Sequence, residues 1–180
     1  MGVGPIHAGV IEPGHFRFLC YGEKVHHLEI QLGFQHRGAE TLLLQKPAAT
    51  LAPLIETIAG DSSVAHTWAY CQAWEAICGA KIPAEFDLVR GIALELERIA
   101  IHLAGLAGMA TDIAFLPGGA TYGRLRTTAI NTSMLLCGSR FGKGWLRPGE
   151  LRFNWNKEVQ RALRSALALL QADLLPINDL

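Results

Sequence analysis

What the chain lacks narrows its class before any motif is read. Lysine plus arginine equals aspartate plus glutamate, 16 against 16, so the 180 residues carry no net charge. No long-range field therefore draws the chain to nucleic acid or to an anionic membrane surface. Cysteine is scarce: Cys20, Cys71, Cys78 and Cys137 form no CxxC pair and match no zinc or iron–sulfur spacing. Cys71 and Cys78 fall on one expected helix, about 10 Å apart along its axis, too far to bridge. All four read as small buried thiols of a reducing compartment. The first residues, Met1-Gly2-Val3-Gly4-Pro5, have neither the basic nor the apolar region of a signal peptide. The most apolar stretch, Ile99 to Ala110, is too short to span a bilayer and carries His102. No repeat or low-complexity linker is present. These absences predict a protein that is soluble, or peripheral on a membrane at most.

What is present suits a single domain with a sizeable core. Half the residues are hydrophobic, and the 19 glycines suggest close packing and tight turns. Residues 1–35 read as a β region: His15 to Cys20 alternates in part, Tyr21-Gly22-Glu23-Lys24 is a turn, and Val25 to Leu32 follows as its partner strand. Residues 36–180 read as the helical region of the same domain. The first helix opens at His36 and runs to about Gln45. A second starts with Pro47 at its first position and ends near Ala59. Asp61 is expected to cap a third, which Gly79 closes after Cys78; Val64, Trp68, Cys71 and Trp74 form its core stripe. A long helix runs from about Pro83 to Ile113. Pro117-Gly118-Gly119 predicts a break, and a further helix then spans about Tyr122 to Arg140. Residues 142–149 read as a loop, and a last helix from about Asn156 ends before Pro176. The fold class is mainly α with a small N-terminal β-hairpin or sheet.

Four clusters hold residues able to do chemistry. His7, Glu12, His15 and Arg17 surround the hairpin entrance: a proton relay, since imidazole titrates near neutrality, or the polar edge of a small sheet. His36 and Glu40, with Arg37 and Gly38 between them, are spaced to share a helix face, as a surface ion pair or as metal ligands. Arg90, Glu95, Glu97, Arg98 and His102 lie on the long apolar helix, and Glu95, Arg98 and His102 recur on one face. Charges in so apolar a setting are expected to be paired and partly buried, as a structural or a proton-conducting network. Arg124 and Arg126 near a helix start oppose its dipole, which suits either a solvated helix start or an acidic partner. Gly60-Asp61-Ser62-Ser63-Val64-Ala65-His66 breaks one helix and starts another, with His66 in the new first turn.

Read in order, Gly4-Pro5-Ile6-His7-Ala8-Gly9, Glu12-Pro13-Gly14-His15-Phe16-Arg17-Phe18, His36-Arg37-Gly38-Ala39-Glu40, Gly60 to His66, and Leu94-Glu95-Leu96-Glu97-Arg98-Ile99 with His102-Leu103 form a set. The set resembles the large subunit of membrane-bound (group 4) nickel–iron hydrogenases. That subunit is similar to the 49 kDa-type quinone-module subunit of respiratory complex I, the NADH-quinone oxidoreductase. The resemblance implies a mostly helical core, a partner small subunit carrying an iron–sulfur cluster, and attachment to ion-pumping membrane subunits on the inner, cytoplasmic face of the membrane. It implies that His7, Glu12, His15, Asp61 and His66 line a cavity facing that cluster and handle protons, with a quinone or another acceptor there. His36, Arg37, Glu40, Glu95, Arg98 and His102 would hold or extend the proton path. The chain departs from the family where hydrogenases carry the CxxC ahead of the histidine that resembles His66: those positions fall on Ala59 and Ser62. Neither is a thiolate, so a nickel–iron site and dihydrogen chemistry are not expected, and no metal ligand is assigned. The quinone-contacting tyrosine of complex I falls on Gly60, and its histidine is matched loosely by His7 or His15. The chain resembles one half of a longer family subunit, as a truncated product, a split subunit or an excerpt. The alternative expectation is a non-catalytic assembly or coupling subunit, or an inactive fragment.

Overall fold

The computed structural model describes residues 1–7 and 13–179. It divides into two compact units, Met1–Gln45 and Lys46–Leu180.

The first unit holds an antiparallel three-stranded sheet in the order β1 (Gly2–Val3), β2 (His15–Tyr21), β3 (Lys24–Gln31). Gly22, with φ of 59°, and Glu23 make the two-residue turn between β2 and β3. Phe16 faces Ile30 and Phe18 faces Leu28, so one side of the hairpin is apolar; Arg17 faces Glu29 on the other and pairs with it at 3.1 Å. The hairpin is thus the one the alternation predicts. Helix α1 (Ala39–Gln45) starts later than expected. His36, Arg37 and Gly38 precede it, with Gly38 in the left-handed region, so His36 and Glu40 do not share a helix face.

The second unit is a helical bundle. A 3₁₀ turn (Ala48–Thr50) and a short α2 (Leu51–Ile55) replace the single helix expected from Pro47 to Ala59. Pro53 falls in the first turn of α2, where its missing amide hydrogen is tolerated. Helix α3 (Ser63–Ile77) ends in a Schellman motif: Ala80 N–H donates to Glu75 O at 2.9 Å and Gly79 N–H to Ala76 O at 3.2 Å, with Gly79 at φ of 62°. Helix α4 (Ala84–Asp112) is the spine, and its 29 residues span about 44 Å.

Helix α5 (Leu116–Cys137) begins at the proline–glycine stretch read as a break. Pro117 sits in the first turn, where its missing N–H costs nothing. Gly118 and Gly119 let this turn close on the end of α4: a Cβ on Gly119 would stand 2.7 Å from Thr111 Oγ1. After α5 come a small hairpin, β4 (Leu146–Arg147) with β5 (Glu150–Leu151), and helix α6 (Lys157–Asn178). Pro176 lies inside α6 and does not end it. Its turn is held by buried Ile177 and by Tyr122, whose hydroxyl donates to Asn178 Oδ1 at 2.8 Å.

One core cluster joins Val64 and Cys71 of α3, Leu96 of α4, Leu136 of α5, Trp145 and Leu163. A second joins Leu103, Tyr122, Leu125 and Leu170 at the far end of α4. Trp68 is only half-buried beside the first. The cysteines divide: Cys71 is buried, with its thiol pushed up to about 11 by desolvation, Cys137 is half-buried, and Cys20 and Cys78 are exposed. Uniform burial of all four is therefore corrected.

Candidate functional site

The site lies where α3 begins. The Gly60–His66 turn is built by Ser63, which is fully buried and donates its hydroxyl to Glu56 O at 3.0 Å and Gly60 O at 3.3 Å. Ser62 occupies the cap position without a side-chain bond, and the first turn of α3 holds no acid. The amides that a cap would satisfy are taken from another helix. Glu97 of α4 accepts from Val64 N–H at 2.6 Å and from Ala65 N–H at 3.0 Å. A carboxylate there meets both the unpaired donors and the positive end of the α3 dipole. Asp61 consequently does not cap the helix. It is exposed and pairs instead with Arg126 of α5 at 3.3 Å.

Glu97 is buried, and desolvation holds its carboxyl above the usual glutamate range, against the lowering effect of the two amide bonds. It borders a cavity of about 20 Å³ that Asp61, Arg126 and Arg140 also line. Arg126 and Arg140 each lie over the Phe141 ring, 5.9 and 5.7 Å from its centroid. Gly142 closes the cavity: its φ is 68°, and a Cβ there would meet Val64 Cγ2 at 2.3 Å.

Two buried ion pairs brace this region. Arg90, fully buried on α4, grips Glu75 of α3 with two bonds at 2.9 and 2.5 Å, and Gly149 N–H adds a third to the same carboxylate at 2.9 Å. The Arg90 hydrogen bond is the chief reason the Glu75 carboxyl sits below its ordinary range. Glu56, after α2, accepts from Arg147 at 2.5 Å and from Gly144 N–H at 2.8 Å. Together they pin the loop after α5 to α2, α3 and α4.

The predicted residues fare differently. His66 is half-buried in the first turn of α3, and its N–H donates to Ser62 O at 3.2 Å. Among the first cluster, His7 is exposed and His15 half-buried at the start of β2; Glu12 lies outside the described residues. His36 and Glu40 are exposed. Glu95 and Arg98 pair at 3.0 Å on the surface, and His102 is exposed one turn on, so this row is not buried. The face toward the neighbouring helices carries Arg90 and Glu97 instead, because these positions fall in register with Ala93, Leu96 and Ala100. Arg124 and Arg126 each have an acidic partner, Asp173 at 2.6 Å and Asp61 at 3.3 Å.

No family model matches the chain. Known proteins do. Across most of its length the chain belongs with the large-type subunits of group 4 hydrogenases and of complex I, as its motifs indicated. It is 31% identical to formate hydrogenlyase subunit 5 of Escherichia coli (strain K12) over 98% of its own length and 31% of that protein's. To hydrogenase-4 component G of the same strain it is 30% identical over 96% of its length and 31% of the relative's. To the D-type subunit of NADH-quinone oxidoreductase from Campylobacter curvus it is 32% identical over 77% of its length and 35% of the relative's. The chain spans about a third of the length of these relatives.

By the motif resemblance, the positions where hydrogenases carry thiolates fall on Ala59 and Ser62. Among the described residues no three His, Cys, Asp or Glu side chains are grouped to hold a metal ion, and no helix is long and apolar enough to cross a membrane.

Proposed function

We propose that the chain is a large-subunit component of a membrane-associated oxidoreductase complex of the complex I/hydrogenase type. The homology over 98% of the chain to formate hydrogenlyase subunit 5 carries this reading. Electrons arrive from an iron–sulfur cluster in a partner small subunit, with NADH as one source, and pass to a quinone or another acceptor. The chain lies on the inner face of the membrane, against ion-pumping membrane subunits. Protons are handled by Asp61 and His66 at the start of α3, together with His7, Glu12 and His15. Asp61 suits the role because it stands at the solvent boundary of a charged cavity, and His66 because an imidazole can both accept and donate a proton. His36, Arg37, Glu40, Glu95, Arg98 and His102 extend the path over the surface that partner subunits cover.

Asp61→Asn and His66→Ala in the intact complex test this. Both are expected to abolish coupled turnover while every subunit still assembles. Unchanged turnover in both sinks the assignment of these residues.

A second reading is favoured by one observation, the Ala59 and Ser62 that stand where the hydrogenases have thiolates. In it the chain is a non-catalytic assembly or coupling subunit. Loss of assembly on deleting the chain, with full turnover in both point variants, supports that reading over the first.

A further inference from the structure

Glu97 joins three features that the proposed proton handling does not use. Its carboxylate holds the first turn of α3 through Val64 N–H at 2.6 Å and Ala65 N–H at 3.0 Å. It is buried, on the α4 face opposite to the exposed Glu95–Arg98 pair. It also borders the cavity of about 20 Å³ that reaches Asp61. Roughly 10–15 Å³ of such space admits one water when polar partners surround it, and here the wall offers two carboxylates and two guanidinium groups.

We infer that Glu97 is a proton-accepting station one water away from Asp61, and that loading it loosens the turn of α3 that carries His66. The inference rests on the reading of Asp61 and His66 as proton-handling residues. The Asp61 carboxylate takes a proton from solvent and passes it to the bridging water, and that water gives one of its own to a Glu97 oxygen. One proton moves and no electron does. The protonated oxygen becomes an O–H donor and, with its charge gone, a weaker acceptor for the amide it held. The longer of the two bonds, to Ala65 N–H, is the one released, and His66 is the next residue along.

The charged groups around Glu97 come from each neighbouring element: Asp61 before α3, Arg126 on α5 and Arg140 beyond the end of α5. Asp61 raises the proton affinity of Glu97, and the main contribution is burial. The hydrogen bonds from Val64 and Ala65 N–H oppose it, because they favour the ionised carboxylate.

The test is the pH dependence of the backbone amide NMR signals of Val64 and Ala65 in the full chain. In the wild type both signals are expected to titrate together, with a midpoint above that of an ordinary glutamate. In Glu97→Gln they are expected to stay flat. In Asp61→Asn, where the change is at an exposed residue, the midpoint is expected to fall. Flat amides in the wild type, or the same titration in Glu97→Gln, would overturn the inference. An unshifted midpoint in Asp61→Asn overturns the link to Asp61 even if the Glu97 variant does not fold. None of these readouts is turnover, so failure here is separable from failure of the functional reading.

Discussion

Arg90 and Glu97 show what a single buried charge does in this protein. Both sit on α4, and each fastens a different part of α3. Arg90 neutralises Glu75 in a bidentate pair with almost no solvent access. Arg90→Ala leaves that carboxylate buried and unpaired, and is expected to cost about 3–5 kcal/mol, read as a lower urea midpoint. The two glutamates respond to pH with opposite signs. The Glu75 carboxyl is held below its ordinary range, so its contribution is present above the unfolded value and is lost as pH falls through the folded one. The Glu97 carboxyl is held above its range, so its contribution is full below the unfolded value and is lost as pH rises through the folded one. Urea midpoints across pH are therefore expected to show an acid-side decline that Glu75→Gln flattens. A second decline, on the alkaline side of the ordinary glutamate range, should vanish in Glu97→Gln. Which charges of α4 are buried was only partly legible. Sequence spacing groups Glu95, Arg98 and His102 on one face, but the apolar register of Ala93, Leu96 and Ala100 turns that face outward and Glu97 inward.

Among the helices and strands, the ends divide by how local their chemistry is. The Gly79 stop, the Asn156 start and the β2–β3 hairpin were all readable, because each depends on neighbours in sequence: a left-handed glycine, a capping side chain, a two-residue turn. Asn156 Oδ1 accepts from Glu158 and Val159 N–H, both at 2.9 Å, so Asn156→Ala is expected to lower stability by about 1 kcal/mol in thermal unfolding. The joint between α4 and α5 was misread because Pro117 and two glycines look like a break in isolation. In the structure the break falls three residues earlier. Ala114 takes the left-handed position, with φ of 61°, in a Schellman closure made by Phe115 N–H to Ala110 O at 2.7 Å and Ala114 N–H to Thr111 O at 3.0 Å. A Cβ is strained there, so Ala114→Gly is expected to stabilise by up to about 1 kcal/mol. The cap of α3 was illegible for a related reason. Its acceptor is 33 residues away in sequence, and no local pattern announces it.

For the molecule as a whole, the motif set pointed to the family, and homology over nearly the full chain agrees with it. The mainly helical fold with a small sheet was equally legible, because helical periodicity and strand alternation occupy separate stretches. The chemistry was not. What stands at the start of α3 is a set of carboxylates and guanidinium groups round a water-sized cavity. That arrangement suits moving protons, the role proposed for it. The most direct measurement is electron paramagnetic resonance on the dithionite-reduced complex isolated from native membranes through a tag on this chain. The predicted result is a reduced iron–sulfur signal in stoichiometric proportion to the chain, borne by a co-purifying small subunit. Recovery of the chain without any iron–sulfur subunit, and with no such signal, would contradict it.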